Sequence, residues 1–274
     1  MKEPLYISSR SNRLVVRFSS LTDKKFRDRE KLFRCDGSKL LSEALACGIT
    51  PEYLLIREDR SEEFLSLAGS RAPAAQPVIL SESAFSKITG EKAPEGIISV
   101  ARYLDDLHRY ESDCAKLAEE VADDEIIAVE SVQDPGNLGT VIRSAAAFGI
   151  DTLVVSADCA DVYNPRTLRA AMGAVFSRKI IRVPCLDEAL LALAAAGRRV
   201  FGAAPGSGSE ELGRIDIRRG DVFVIGNEGH GLSDRVVAAC GGLVRIPMLA
   251  GPGIESLNAA VAASVIMYER KRYR

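Results

Sequence analysis

Histidine is scarce in this 274-residue sequence, with only His108 and His230, and the six cysteines at 35, 47, 114, 159, 185 and 240 form no C-x-x-C pair. That spacing argues against both a structural zinc site and a disulfide scaffold, so no metal is expected. No apolar run approaches the roughly 18 residues of a membrane-spanning helix. The opening Met1-Lys2-Glu3-Pro4 carries no apolar signal core, and a cytosolic protein without membrane attachment is expected. Net charge is also small: 36 Lys+Arg against 38 Asp+Glu leave -2, little of the basic footprint that phosphate binding requires. Neither G-x-G-x-x-G nor G-x-x-x-x-G-K-[ST] occurs, so a dinucleotide or nucleoside-triphosphate site lacks its fingerprint, and with it a nucleotide-dependent oxidoreductase.

What is present is an ordinary globular composition, 47% hydrophobic and 27% charged, in a chain long enough for two domains. Charge is distributed unevenly. Residues 1–43 hold eleven Lys/Arg against six acids, whereas 105–125 hold nine acids against Arg109 and Lys116. The basic segment, which includes Arg27, Arg29 and Lys31, reads either as solvated surface or as an RNA or phosphate contact face, and these three are its candidate RNA contacts. The acidic stretch falls where a boundary is expected, between strand-like runs at 53–56, 77–80 and 96–100, with helical patterns at 38–47 and 62–68, and a longer alternating series. That series reads as strands at 126–129, 152–155, 199–204, 222–226 and 243–247 and helices at 138–148, 186–196, 233–240 and 255–272. Strands alternating with helices predict α/β domains with parallel sheets. The expected organisation is a domain over 1–104, an acidic helical linker over 105–121 and a second domain over 122–274. In the last helix Leu257, Val261, Val265 and Tyr268 recur at helical spacing and are expected to form one packed face, and Ala259, Ala260, Ala262, Ala263 and Ser264 would admit close approach of a partner within the chain or across a dimer.

Ligands of open α/β sheets bind beyond the carboxyl ends of the strands. Three polar, Gly-rich segments stand at such ends: Glu130-Ser-Val-Gln-Asp-Pro-Gly-Asn-Leu-Gly139, Gly226-Asn-Glu-Gly-His-Gly-Leu-Ser233 and Pro247 to Asn258. Glycine there removes Cβ obstruction and leaves backbone N–H groups free to meet a ligand.

The residues Asp134-Pro-Gly-Asn-Leu-Gly-Thr-Val-Ile-Arg143, Gly226-Asn-Glu-Gly-His-Gly-Leu232, Ile246-Pro-Met248 and Glu255-Ser-Leu-Asn258, in this order, resemble the three motifs of the SpoU, or TrmH, class of SPOUT RNA 2'-O-ribose methyltransferases. The stretch Glu30 to Leu41, with Gly96-Ile-Ile-Ser-Val100, is similar to the substrate-binding domain that such enzymes often carry. The resemblance implies a C-terminal parallel-sheet SPOUT domain with a deep trefoil knot, a smaller N-terminal ribosomal-protein-like α/β RNA-binding domain, a homodimer, and S-adenosylmethionine as cofactor. It implies catalytic roles for Arg143, Asn137, Glu228, Ser256 and Asn258. Asn137 would orient Arg143 or the ribose, and Asn227 and Glu228 would brace the cofactor loop. Cofactor contacts are implied for Ala203, Ala204, Gly226, Asn227, Gly229, Ile246, Met248, Ser256 and Leu257, and RNA contact also for Arg143. The expected reaction is methylation of a ribose 2'-hydroxyl in structured RNA, 23S ribosomal RNA before transfer RNA, with a noncatalytic RNA-binding protein as the alternative.

Overall fold

The computed structural model describes residues 2–206, 208–249 and 256–272, in two compact units: Met1–Leu104 with Asp161–Phe176, and Asp105–Ala160 with Ser177–Arg274. The first unit contains β1 (Leu5–Ile7), α1 (Arg13–Ser20), α2 (Lys24–Glu30), β2 (Leu32–Asp36), α3 (Ser38–Ala46), β3 (Tyr53–Arg57), α4 (Ser61–Arg71), β4 (Gln76–Leu80), α5 (Glu82–Ile88) and β5 (Ile97–Arg102). Its sheet runs β1-β4-β3-β5-β2. Side chains alternate across a strand, so Leu54 and Ile56 join Leu41, Phe64 and Ala68 on one face while Leu55 joins Phe18, Val78, Phe85 and Val100 on the other. The sheet is mixed rather than wholly parallel: β5 lies antiparallel to both β3 and β2. The chain enters β5 at Gly96, whose φ of +98° places it in backbone space that glycine reaches without Cβ strain.

The sequence places Arg27 at an RNA-facing surface; the structure corrects this. Arg27 is only 1% exposed. Its Nη1 donates to the carbonyls of Leu21 and Thr22, both at 2.7 Å, and its Nη2 pairs with Asp161. Asp161 opens an excursion of the chain through α8 (Pro165–Ala171), which belongs to the first unit. There Tyr163 stacks on Tyr103 and Phe33, with ring centroids 4.1 and 4.7 Å apart, and its hydroxyl accepts the Leu104 N–H at 2.6 Å. A pairing partner 134 residues away is invisible to local sequence patterns.

The second unit comprises β6 (His108–Tyr110), α6 (Cys114–Glu120), β7 (Ile126–Val129), α7 (Pro135–Phe148), β8 (Thr152–Ser156), β9 (Lys179–Val183), α9 (Leu186–Ala195), β10 (Val200–Ala203), β11 (Glu210–Glu211), β12 (Val222–Ile225), α10 (Asp234–Ala239), β13 (Gly242–Arg245) and α11 (Ala259–Arg272). Its eight strands are ordered β11-β13-β10-β12-β7-β8-β9-β6, and every pairing is parallel. The acidic stretch is therefore not a separate linker. Its β6 pairs with β9, and α6 buries Leu117 and Ala118 against α9 residues Leu186, Leu190 and Leu193. The acids remain compatible with packing because they find cations: Glu120 pairs with Arg109 at 2.5 Å, Glu111 with Lys116 at 3.0 Å and Asp124 with Lys179 at 2.9 Å.

The final helix also turns differently from its expected register. Ala259, Ala260, Ala263, Ile266 and Met267 are buried, whereas Val261 and Tyr268 are 48% and 53% exposed. Small residues lie inward because α11 packs closely on α7, where the Ser144 and Ser264 hydroxyls are 2.7 Å apart. Near its other end Arg270, 4% exposed, pairs with buried Glu125 and donates to the Ile126 carbonyl at 3.1 Å. Glu255, the expected start of this helix, lies outside the described residues. No described helix is long and apolar enough to cross a membrane.

Removing a buried cation that satisfies a carboxylate and two carbonyls is expensive: Arg27→Ala is expected to destabilise the protein by about 3 kcal/mol in denaturant titration. Arg29→Ala and Lys31→Ala, at exposed positions, should each stay within about 0.5 kcal/mol of the parent.

Candidate active site

Parallel pairing of β7 with β12 sets the ends of these strands side by side, so the segments that follow them, 130–137 and 226–233, leave the sheet together. Gly226 begins the second segment and has no room for a side chain. A Cβ there would lie 2.3 Å from the Gly231 carbonyl carbon and 2.6 Å from the Leu232 nitrogen. Beyond it Asn227 and Gly231 exchange backbone hydrogen bonds of 2.9 and 3.0 Å, closing a tight loop. Asn227 fastens that loop: its Oδ1 accepts the N–H groups of Gly229 and His230 at 2.8 and 3.2 Å, while its Nδ2 donates to the Ser131 carbonyl at 2.7 Å. At the loop's exit the Glu130 carboxylate accepts the Ser233 N–H at 2.9 Å and its hydroxyl at 2.6 Å.

Helix α7 starts with Asp134 as N-cap and Pro135 in its first turn, an arrangement suited to Pro because its missing N–H needs no helical partner. This cap presents Asn137. The Asn137 Nδ2 donates to Glu228 Oε1 at 2.7 Å, and its Oδ1 accepts Asn258 Nδ2 at 3.1 Å. Asn258 in turn caps α11 through Oδ1, which accepts the N–H groups of Ala260 and Val261 at 2.9 and 3.2 Å. Three of the five residues expected to act in catalysis thus form one hydrogen-bonded chain, Glu228–Asn137–Asn258.

Arg143 is not part of that chain. It lies on the exposed side of α7 with no hydrogen bond or ion pair to any described residue, so Asn137, whose amide bonds Glu228 and Asn258, does not hold Arg143, the first of its two expected partners. Ser256 is exposed and Leu257 half-buried. Ala203 ends β10, Ala204 follows it, Ile246 and Met248 follow β13, and β10 intervenes between β13 and β12. Ala203, Ala204 and Ile246 are half-buried, Met248 is 40% exposed and Leu249 is 95% exposed. Apolar side chains therefore stand at these strand ends. Of the RNA candidates in the first unit, Arg29 lies 4.8 Å from the Phe26 ring centroid and Lys31 Nζ 5.3 Å from that of Tyr103, both exposed.

Residues 124–268 match the SpoU rRNA Methylase family, and residues 12–99 match the MRM3-like substrate binding domain. The chain belongs to the SpoU rRNA methylase family. Its sequence is 33% identical over 266 residues to the 23S rRNA (guanosine(2553)-2'-O)-methyltransferase RlmP of Bacillus subtilis, covering 96% of this chain and 97% of that protein. It is 32% identical to the 23S rRNA (uridine(2479)-2'-O)-methyltransferase of Streptomyces viridochromogenes, covering 98% and 92%. Among solved structures, the AdoMet-bound rRNA methyltransferase from Sinorhizobium meliloti superposes with a TM-score of 0.82 at 29% identity over 98% of both chains.

For a SpoU methylase the cofactor is S-adenosylmethionine, and the strand ends fit it: their alanines and Ile246 would offer apolar contact, while the Gly226 turn brings backbone against backbone without an intervening Cβ. Sequence reasoning missed Glu130, Ser131 and Ser233 as fasteners of these loops, although each sits in or beside a motif; their pairing depends on β7 lying next to β12. Gly226→Ala should cost about 1–3 kcal/mol of stability through overpacking, read as a lowered denaturation midpoint, and should weaken S-adenosylmethionine binding in calorimetry. Parent-like values of both would show that the turn accommodates a side chain.

Proposed function

We propose that this chain methylates the 2'-hydroxyl of a ribose in 23S ribosomal RNA in the cytoplasm, and that Ala203, Ala204, Gly226, Asn227, Gly229, Ile246, Met248, Ser256 and Leu257 bind the methyl donor. The observation that carries the reading is the Glu228–Asn137–Asn258 chain, which ties together the segments after β7, β12 and β13. S-adenosylmethionine, when bound, supplies an electrophilic methyl group on a sulfonium. The protein's task is to hold the ribose oxygen in line with that methyl, and ideal orientation of two reactants contributes roughly 7–11 kcal/mol to the barrier reduction.

Arg143 is the residue assigned to the RNA at the reacting centre. A guanidinium keeps its proton throughout the physiological range and is a poor proton acceptor. It orients the hydroxyl and clamps the neighbouring phosphate instead, and the hydroxyl proton leaves to water or to a phosphate oxygen. Its lack of an acidic partner among the described residues supports this role, because the positive charge is left for the RNA. Glu228, Ser256 and Asn258 hold the catalytic loops rather than exchange protons.

In the first unit Arg29 and Lys31 are assigned to RNA as exposed cations, each beside an aromatic ring. The two full-length relatives that carry 23S rRNA in their names favour ribosomal over transfer RNA. Two features of the family belong to the same reading. The strand order, with β10 and β13 beyond β12 and α11 back against α7 and β12, supports a trefoil knot. The exposed Val261 and Tyr268 support a homodimer through α11.

Arg143→Ala should lower methylation at least about a hundredfold while S-adenosylmethionine affinity stays near the parent value in calorimetry; equal loss of both would make Arg143 structural, and full activity would remove it from the mechanism. Lys31→Glu should weaken binding to a 23S rRNA fragment and reduce the slope of log K against log salt by about 1. Val261→Glu with Tyr268→Glu should shift the sedimenting species from dimer to monomer, and an unchanged sedimentation coefficient would place any dimer contact elsewhere.

A further inference from the structure

Ser131, whose carbonyl receives Asn227, has a φ of +54°. Left-handed backbone is unusual for a residue with a Cβ, and it persists where surrounding contacts hold it. Those contacts come from the loop after β8. The Ser131 N–H donates to Ser156 Oγ at 2.8 Å, and the Ser131 hydroxyl donates to Asp158 Oδ2 at 2.6 Å. Ser156 Oγ donates in turn to Asp158 Oδ1 at 2.6 Å. One carboxylate thus receives the hydroxyls of both serines.

The loop that carries Asp158 is itself held. Arg182 on β9 donates from Nη1 to the carbonyls of Ser156, Ala157 and Cys159 at 3.1, 2.8 and 2.9 Å, and from Nη2 to that of Ala160 at 2.8 Å. The Ala160 N–H donates to the Val132 carbonyl at 2.9 Å, joining the same loop to the segment after β7 a second time. Burial tends to raise the Asp158 carboxyl, but the hydroxyls of Ser131 and Ser156, with the Arg182 charge, hold it below its usual range. At neutral pH both of its oxygens are therefore free to accept.

We propose that Asp158 is a positioning residue for the methyl-donor site: through Ser131 and Ser156 it fixes the left-handed turn that aims the Ser131 carbonyl at Asn227, and so sets the 226–231 loop. This rests on the assignment of that loop to S-adenosylmethionine. Among the described residues the Asp158 carboxylate bonds to Ser131 and Ser156 and not to Asn227 or the residues assigned to the cofactor, so its influence runs through backbone conformation. A glycine at 131 would adopt the same φ without needing the carboxylate.

The test uses the full-length protein and S-adenosylmethionine itself. Asp158→Ala should raise the dissociation constant, and the KM for S-adenosylmethionine, about tenfold, the size of a coupling between neighbouring groups, while kcat at saturating cofactor stays near the parent value. Adding Ser131→Gly to Asp158→Ala should restore most of the lost affinity, a rescue that a merely structural carboxylate would not show. Unchanged affinity in Asp158→Ala overturns the proposal, as does a double variant no tighter than the single one. If Asp158→Ala does not fold, Asp158→Asn is read in its place, with a smaller loss that Ser131→Gly also relieves; no loss or no relief overturns the proposal equally. Ala204→Trp, which fills the strand ends directly, separates the two assignments. Retained binding in Ala204→Trp sinks the assignment of the cofactor site, whereas lost binding there with unchanged Asp158→Ala sinks only the role of Asp158.

Discussion

A primary amide can donate and accept at once, and the site depends on Asn137 doing both. Glu228 takes its N–H and Asn258 supplies a donor to its oxygen, so two segments 91 and 121 residues further along the chain are placed by one side chain. Neither a carboxylate nor an aliphatic group could do this, because a carboxylate has no donor for Glu228 and would set two negative charges together. The position of Asn137 is in turn fixed by the helix start: Asp134 Oδ1 accepts the Asn137 N–H at 2.9 Å. Helix capping and site assembly are the same set of bonds.

The same economy recurs at α11. Asn258 caps that helix with its oxygen while its nitrogen reaches Asn137, so any rotation or slide of α11 would carry the cap away from the site. Two features resist such movement. Alanines at 259, 260 and 263 are buried, which lets the helix sit close to its neighbours, and the Arg270 and Glu125 pair ties its far end to the start of β7. Replacing a buried ion pair with apolar residues often preserves stability; what such a swap would lose here is the fixed axial position of the helix.

Much of this was legible in the sequence. The apolar run at 126–129 is β7 residue for residue, because a buried parallel strand is read directly from its continuous hydrophobicity. The Asn, Gly and Glu residues of the strand-end loops were found through their spacing and family resemblance, and Asn137, Glu228 and Asn258 do come together. Elsewhere bulk hydrophobicity misled: in α11 it put Val261 and Tyr268 on the packed face, whereas the alanine run, read as admitting close approach, is what lies inward. Charge misled in two ways. Nine acids suggested a linker over residues that build β6 and α6, and the local basic excess made Arg27 look like surface when a distant aspartate holds it inside. Strand β9 went unread because Lys179 and Arg182 interrupt its apolar residues, and Arg182 serves the fold through four carbonyls.

The excursion through residues 161–176 has a consequence for how the protein is made. The first unit takes its Tyr163 stacking partner and the carboxylate for Arg27 from chain that follows β8. On the ribosome that unit cannot complete its packing when residue 104 emerges, since those partners have yet to be translated. Strands β7 and β8 are synthesised in the interval, so construction of the second sheet begins before the first unit is finished. The order of synthesis interleaves the two units, and a chain stopped after residue 104 would leave the Tyr103 and Phe33 rings without their stacking partner and the Arg27 guanidinium without its counter-charge.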